Sequence, residues 1–244
     1  MTGAASGVGA AVTTTLLERG VLVVGVDRNW AEGAERPGLV RVSGSVSEQS
    51  TWRQVTDEIR RREDVTLSMM VINAARLVVG NLLDLDEEEI RGVFDVNVYG
   101  AVRAVRSCLP LMLAAGGGRI VAVASVDALY AEKDLAAYCM SKGALLQLVR
   151  TLAVDFGGQG IRANAVCPGA IDTPFFRQHV EAASDPEAFL KIKTQRHPSG
   201  RILRPEDVAS AVLYLLSVES LGINGAHLMV DGGLTATFDY QPPL

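Results

Sequence analysis

The chain opens on a glycine-rich run, Met1-Thr2-Gly3-Ala4-Ala5-Ser6-Gly7-Val8-Gly9. Such a loop normally follows a buried strand and leads into a helix. Its glycines let the backbone turn tightly and approach a pyrophosphate at the positive helix N-terminus. The run therefore restricts the chain to an α/β fold and predicts dinucleotide binding. The strand that should deliver the loop is absent from the sequence in front of it.

Downstream, strand-like apolar runs alternate with helix-like stretches, the signature of a parallel sheet. The predicted strands are 21–26, 39–42, 67–72, 120–124, 161–166 and 227–230. Runs this apolar suit strands covered on both faces, so the expectation is a doubly wound, three-layer Rossmann-like sheet of six strands. A first helix runs from Gly7 to Arg19 and stops at Gly20. Ser47 can cap a second, which continues to Arg60-Arg61-Arg62, where cations favour the helix end. The acidic stretch from Asp84 to Glu89 opens a long helix ending near Ala114. Further helices span 138–156 and begin at Pro205. Residues 173–204 read as irregular, either a lid over a site or a disordered surface excursion.

With 244 residues, 48% hydrophobic and 21% charged, the chain suits a single domain over 1–244. A net charge of -5 argues against nucleic acid or an anionic membrane as partner. No apolar run reaches the roughly 18 residues of a membrane span. Isolated Cys108, Cys139 and Cys167 read as reduced thiols of a cytoplasmic protein. His179, His197 and His227 lack ligand spacing, so no metal is expected.

Asp27 ends the 21–26 strand, eighteen positions beyond Gly9. An acid at this spacing is placed to bind adenosine ribose hydroxyls and to repel a 2′-phosphate, which favours NAD over NADP. Arg28 beside it softens that preference. Tyr138 and Lys142, four apart on a helix, share one face. A nearby ammonium lowers a tyrosine pKa and suits acid–base catalysis, although such a pair alone more often marks a solvated face. Ser125 lies just past the 120–124 strand, where ligands of open α/β sheets bind. Asn97 falls inside the long helix, which points to a functional or a kinking role.

Together these residues resemble the short-chain dehydrogenase/reductase family over nearly the whole chain. Thr2-Gly3 through Gly7 and Gly9 is similar to its cofactor loop, and Asn73-Ala74-Ala75 to its Asn-Ala-Gly motif. Asn97, Ser125, Tyr138 and Lys142 match its catalytic tetrad. Pro168-Gly169-Ala170-Ile171-Asp172-Thr173 resembles its Pro-Gly motif, and Asp231-Gly232-Gly233 its C-terminal signature. The resemblance implies Tyr138 as general acid/base, Ser125 steadying the substrate oxygen, and Lys142 lowering the tyrosine pKa and binding the nicotinamide ribose. It implies that Asn97 holds a water of a proton relay. Cofactor contacts are expected from Thr2, Gly3, Ser6, Gly7, Val8, Gly9, Asp27, Arg28, Ser45 and Val46. Asn73, Ala74, Ala75, Tyr138, Lys142, Pro168, Gly169, Ile171 and Thr173 complete that set. A homotetramer or homodimer is expected through helices 87–114 and 138–156.

The sequence departs from the family at three places. The family's first strand is missing; burying about five apolar side chains contributes roughly 7–15 kcal/mol, comparable to a domain's net stability of about 5–15 kcal/mol. A chain starting at Met1 is thus expected to be fragile, with the natural start upstream. Ser45 stands where the family uses an adenine-contacting aspartate, and Ala75-Arg76 replaces its glycine. Val126, Asp127, Ala170, Phe175 and Phe176 should flank the substrate; Asp127 is either a solvated loop residue or a partner for a polar substrate. The leading expectation is an NAD-dependent oxidoreductase acting on an alcohol or ketone. The alternatives are an NADP-dependent 3-oxoacyl-thioester or carbonyl reductase, and a non-catalytic scaffold that has lost cofactor binding.

Overall fold

The β-branched runs form six parallel strands: β1 (Val23–Asp27), β2 (Leu39–Ser43), β3 (Met69–Ile72), β4 (Gly118–Val123), β5 (Ile161–Pro168) and β6 (His227–Val230). The computed structural model describes residues 1–31, 33 and 35–237; the last seven positions of the predicted domain lie outside them. Strands β1 and β2 pair with each other, and β3-β4-β5-β6 pair in that order. Between β1 and β3 lie Met1 and Thr2. The Val26 N–H donates to Met1 O at 2.8 Å, and Thr2 N–H donates to Val71 O at 3.1 Å. The two sheets are thus joined by a two-residue seam.

Helices cover both faces, giving the Rossmann-like layered α/β fold expected. One apolar cluster packs α2 (Gln49–Arg60), α4 (Gly100–Ala114) and α5 (Ala136–Phe156) against one face, around Ile120, Val149 and Ala163. The other packs α1 (Gly7–Glu18) and α8 (Pro205–Leu216) on the opposite face, around Val12, Val121 and Val212.

Two local expectations need correction, and a third is refined. Ser47 does not cap α2: the N-cap is Glu48, and the Ser47 hydroxyl pairs with that of Ser45 at 2.7 Å. The long acidic-led helix runs unbroken to Ala114 as expected, but it is not regular. It comprises α3 (Glu87–Phe94), a π turn (Asp95–Tyr99) and α4, with Asp86 and Glu89 forming a capping box at its start. Residues 173–204 are not irregular either. They hold α6 (Pro174–Glu181) and α7 (Pro186–Gln195), each with proline in its first turn and a capping side chain, Thr173 or Asp185, in front. Reading the prolines as loop signals missed their N-terminal role. A parallel bridge between Ile171 and Leu203 closes the base of this excursion.

The glycine loop is held from below. Asn73 donates from Nδ2 to the carbonyls of Thr2 and Gly3, both at 3.1 Å, and its own N–H donates to Thr2 Oγ1 at 2.9 Å. A Cβ built on Gly9 would stand 1.7 Å from the Gly3 carbonyl oxygen. Only glycine permits this approach of helix to loop. Gly9→Ala is expected to push the loop off β3 and lower stability by about 1–3 kcal/mol, read from chemical denaturation midpoints, with loss of any cofactor-induced thermal shift.

Candidate active site

All of the functional side chains predicted from sequence gather at the carboxyl edge of the sheet, most of them on one cavity of about 890 Å³. Its first end is the glycine loop. Gly3 and Gly7 adopt φ of 63° and 51°, open to glycine at little cost. The Ser6 side chain makes no capping bond to α1, so the helix N-terminus keeps its backbone donors for an anion. Asp27 accepts from Ala5 N–H at 2.9 Å and Asn29 N–H at 3.2 Å, one bond per oxygen. Each oxygen therefore keeps acceptor capacity for a ribose hydroxyl. The residues fit a dinucleotide: a donor-lined glycine cradle at one end and an acidic ribose partner beside it.

At the second end stand Ser125, Tyr138 and Lys142, all buried. Ser125 follows β4; Tyr138 and Lys142 are one turn apart on α5. Lys142 Nζ donates to Val123 O at 2.8 Å and sits 5.5 Å from the Tyr138 ring centroid. Burial lowers the Lys142 pKa to about 8. Burial also pushes the Tyr138 phenol above its ordinary value; the Asp127 carboxylate adds to this and the Ser125 hydroxyl works against it. This is opposite to the sequence expectation of a tyrosine pKa lowered by lysine, because desolvation is the largest influence on the phenol.

Relatives of the chain carry matching descriptions. A family model described as Enoyl-(Acyl carrier protein) reductase matches residues 3–235. The chain is 32% identical to 2-(S)-hydroxypropyl-CoM dehydrogenase 3 of Xanthobacter autotrophicus, over 97% of this chain and 95% of that protein. It is also 32% identical to Dehydrogenase/reductase SDR family member 6 of Danio rerio, over 96% and 95% of the two chains. The solved ligand-free aldohexose dehydrogenase of Thermoplasma acidophilum superposes with a TM-score of 0.91 at 31% identity, covering 100% of this chain and 95% of that one. The chain belongs to the short-chain dehydrogenase/reductase family. It is an oxidoreductase of that family, and a catalytically void scaffold is set aside.

As in a short-chain dehydrogenase/reductase fold, chain-distant residues converge. Nearly every expected cofactor residue lines the cavity: the loop residues Gly3, Ser6, Gly7 and Val8, then Asp27 and Arg28, then Ser45 and Val46. So do Asn73, Ala74 and Ala75, and Pro168, Gly169, Ile171 and Thr173. Thr2, Gly9 and Asn97 do not line it; they lie behind its wall. Thr2 Oγ1 accepts from Asn73 and Ala74 N–H groups, at 2.9 and 3.1 Å. Asn97, on the π turn, accepts from Arg76 N–H at 2.7 Å and donates to Arg76 O and Ser141 Oγ, each at 2.9 Å. The Ser45 hydroxyl is already engaged by Ser47. Thr173 reaches the loop itself: a Cβ on Gly7 would stand 3.0 Å from its methyl.

The substrate side is roofed by α6 and α7. The Phe175 ring lies 6.2 Å from that of Tyr138. Lys193 of α7 pairs with Glu132 of the segment before α5. Sequence reading missed this pair, since two opposite charges sixty-one positions apart give no local signal. It also missed His197, which is 1% exposed. Its Nε2 accepts from Ala170 N–H at 3.3 Å and its Nδ1 meets Lys193 O at 2.7 Å, bracing the Pro-Gly loop. Asp127 is not a solvated loop residue. It is half-buried, and its Oδ2 accepts from Ser125 Oγ at 3.0 Å.

The buried Lys142 ammonium carries a stability cost with a defined pH window. Its folded pKa of about 8 lies below the ordinary 10.5. Below the folded value both states hold the proton and the cost is complete. Between the two values the unfolded chain binds more protons, so stability rises with pH. Lys142→Met is therefore expected to raise unfolding stability at pH 7 by on the order of 2 kcal/mol. The gain should fade toward pH 10.5, as measured by denaturant titration across pH.

Proposed function

We propose that the protein interconverts a secondary alcohol and its ketone with NAD(H), Tyr138 acting as general acid/base. The observation that carries this reading is that Ser125, Tyr138 and Lys142 face the same cavity as the glycine loop and Asp27. The bound nicotinamide would supply or accept the hydride at the carbinol carbon. The chain's own residues supply geometry and proton transfer. The phenol, with its pKa raised, is held protonated in the free protein and is set to donate to a carbonyl oxygen. Lys142, anchored on Val123 O and protonated below its pKa of about 8, holds its ammonium over the Tyr138 ring on the ribose side of the proposed site.

The secondary-alcohol assignment is supported by the hydroxypropyl substrate in the name of the Xanthobacter relative. The α6–α7 segment at 173–204 is proposed as the substrate-side cover, because Phe175 and Thr173 reach from it to Tyr138 and Gly7. NAD over NADP is supported by the free acceptor capacity of Asp27, whose charge opposes a 2′-phosphate. Arg28, which lines the cavity beside it, favours the NADP reading. Self-association through α4 and α5 is supported by Val154 and Met140, 82% and 44% exposed on α5, and by Tyr99, 54% exposed just before α4. Among the described residues no helix is long and apolar enough to cross a membrane. The buried Cys108 and Cys167 thiols, pushed up to about 11 by burial, suit the reducing cytoplasm proposed for the protein.

The test combines cofactor binding and turnover. NAD⁺ at 100 times its dissociation constant should stabilise the fold by about 2.7 kcal/mol, and NADP⁺ should shift the melting temperature less. A panel of secondary alcohols and ketones, followed at the nicotinamide absorbance, should reveal turnover. Tyr138→Phe should lower kcat/KM by about 10²–10⁴ and leave the NAD⁺ shift in place. Turnover unchanged in Tyr138→Phe, or no shift with either cofactor, overturns the reading; a larger shift with NADP⁺ reverses the cofactor assignment alone.

A further inference from the structure

Ser125 Oγ makes two hydrogen bonds with Asp127 and also faces the Tyr138 phenol. It accepts from the Asp127 N–H at 3.1 Å and donates to Asp127 Oδ2 at 3.0 Å. The cause is local. Ser125 is the N-cap of a 3₁₀ turn over Val126–Ala128, and that tight turn brings the carboxylate back over its cap. A serine hydroxyl holds one proton and two lone pairs. Here that proton is donated to the carboxylate and one lone pair accepts the N–H, so only a lone pair remains toward the cavity. A lone pair can accept from an alcohol O–H, but stabilising a carbonyl or developing oxyanion requires a donor.

The geometry points to Asp127 as a positioning residue for the proposed alcohol–ketone reaction: ionised, it withholds the Ser125 proton from the substrate oxygen, and protonated, it releases it. This inference rests on that reaction reading. The groups facing Asp127 are Glu132 of the segment before α5, Lys193 of α7, and Tyr138, Cys139 and Lys142 of α5. Burial, then Glu132, raises the carboxyl above its ordinary value; Ser125, Lys193 and Lys142 draw it back. The withheld state therefore lies on the alkaline side of a raised carboxyl titration. Oxidation and reduction share one transition state, so the Ser125 donor is gained or lost in both directions together.

The experiment follows kcat/KM against pH for butan-2-one with NADH, then for the ketone of the panel that is reduced fastest. The wild type is compared with Asp127→Ala, Asp127→Asn, Ser125→Ala and the Ser125→Ala/Asp127→Ala double variant. Wild-type kcat/KM should fall as Asp127 ionises. Both Asp127 variants should lose that limb, and Asp127→Ala, which keeps no acceptor for the Ser125 proton, should exceed the wild type on its alkaline side. The gain should be roughly tenfold, the scale of one charge-assisted hydrogen bond. In the Ser125→Ala background the Asp127 substitution should give no such gain. Asp127 variants slower than wild type at every pH make the residue a structural anchor and overturn the inference. An equal gain with Ser125 absent also overturns it, because Asp127 then acts on Tyr138 directly. Failure of the underlying reaction reading looks different: neither cofactor raises the melting temperature and wild-type protein reduces no ketone, which removes this inference with it.

Discussion

Asn73 and the glycine loop meet in a clamp through which the two halves of the sheet communicate. On one side, β1 pairs with β2 and donates through Val26 N–H to Met1 O; on the other, β3 begins the four-stranded sheet and ends at Ile72, just before Asn73. Thr2 lies between them, pairing with Val26 and donating to Val71 O. Its hydroxyl accepts from Asn73 and Ala74, while the Asn73 amide supports the carbonyls of Thr2 and Gly3. Because the contact is between backbones, it leaves no room for a side chain at Gly9. Position of the loop, direction of α1 and spacing of β1 from β3 are consequently one quantity rather than three. Buried backbone groups need partners, and here a few side-chain bonds supply them where a ladder of strand pairs would otherwise run.

The candidate site lies where that seam opens. Parallel strands all end at the same edge, so β1, β3, β4 and β5 deliver Asp27, Asn73, Ser125 and Pro168 to one rim. The helix α5 then adds Tyr138 and Lys142 from one face. Lys142 is held by a strand carbonyl, Ser125 by its own turn, and Asn97 by the backbone after Asn73. Lys142 and Asn97 are thus fixed by elements other than those that carry them, which is how such a site keeps its geometry.

Much of this was legible in the residues because its determinants are local. Six β-branched runs became six strands, and the periodic helices kept their termini within a few residues. Tyr138, Lys142 and Ser125 were readable because helix spacing and strand ends are properties of neighbouring positions. What was not legible depends on distant partners or on one-residue changes of register. The proline-rich 173–204 segment read as irregular, yet proline behind a capping threonine or aspartate starts a helix. Asp127 was open to a solvated reading because nothing in the string shows a turn folding it onto Ser125. The raised phenol of Tyr138 follows from depth of burial, which no local pattern encodes.

The π turn at Asp95–Tyr99 illustrates how position can matter apart from residue type. A π turn accommodates one more residue than the regular helix, so everything beyond it is rotated relative to α3. Asn97 reaches both Arg76 and Ser141 from that turn, tying the segment after Asn73 to α5. Shortening the segment by one residue would relax it into an ordinary helix and swing the asparagine away, although every side chain named in the site would still be present. In this protein a length can therefore be inherited as strictly as an amino acid, and an insertion or deletion there would act as a site mutation.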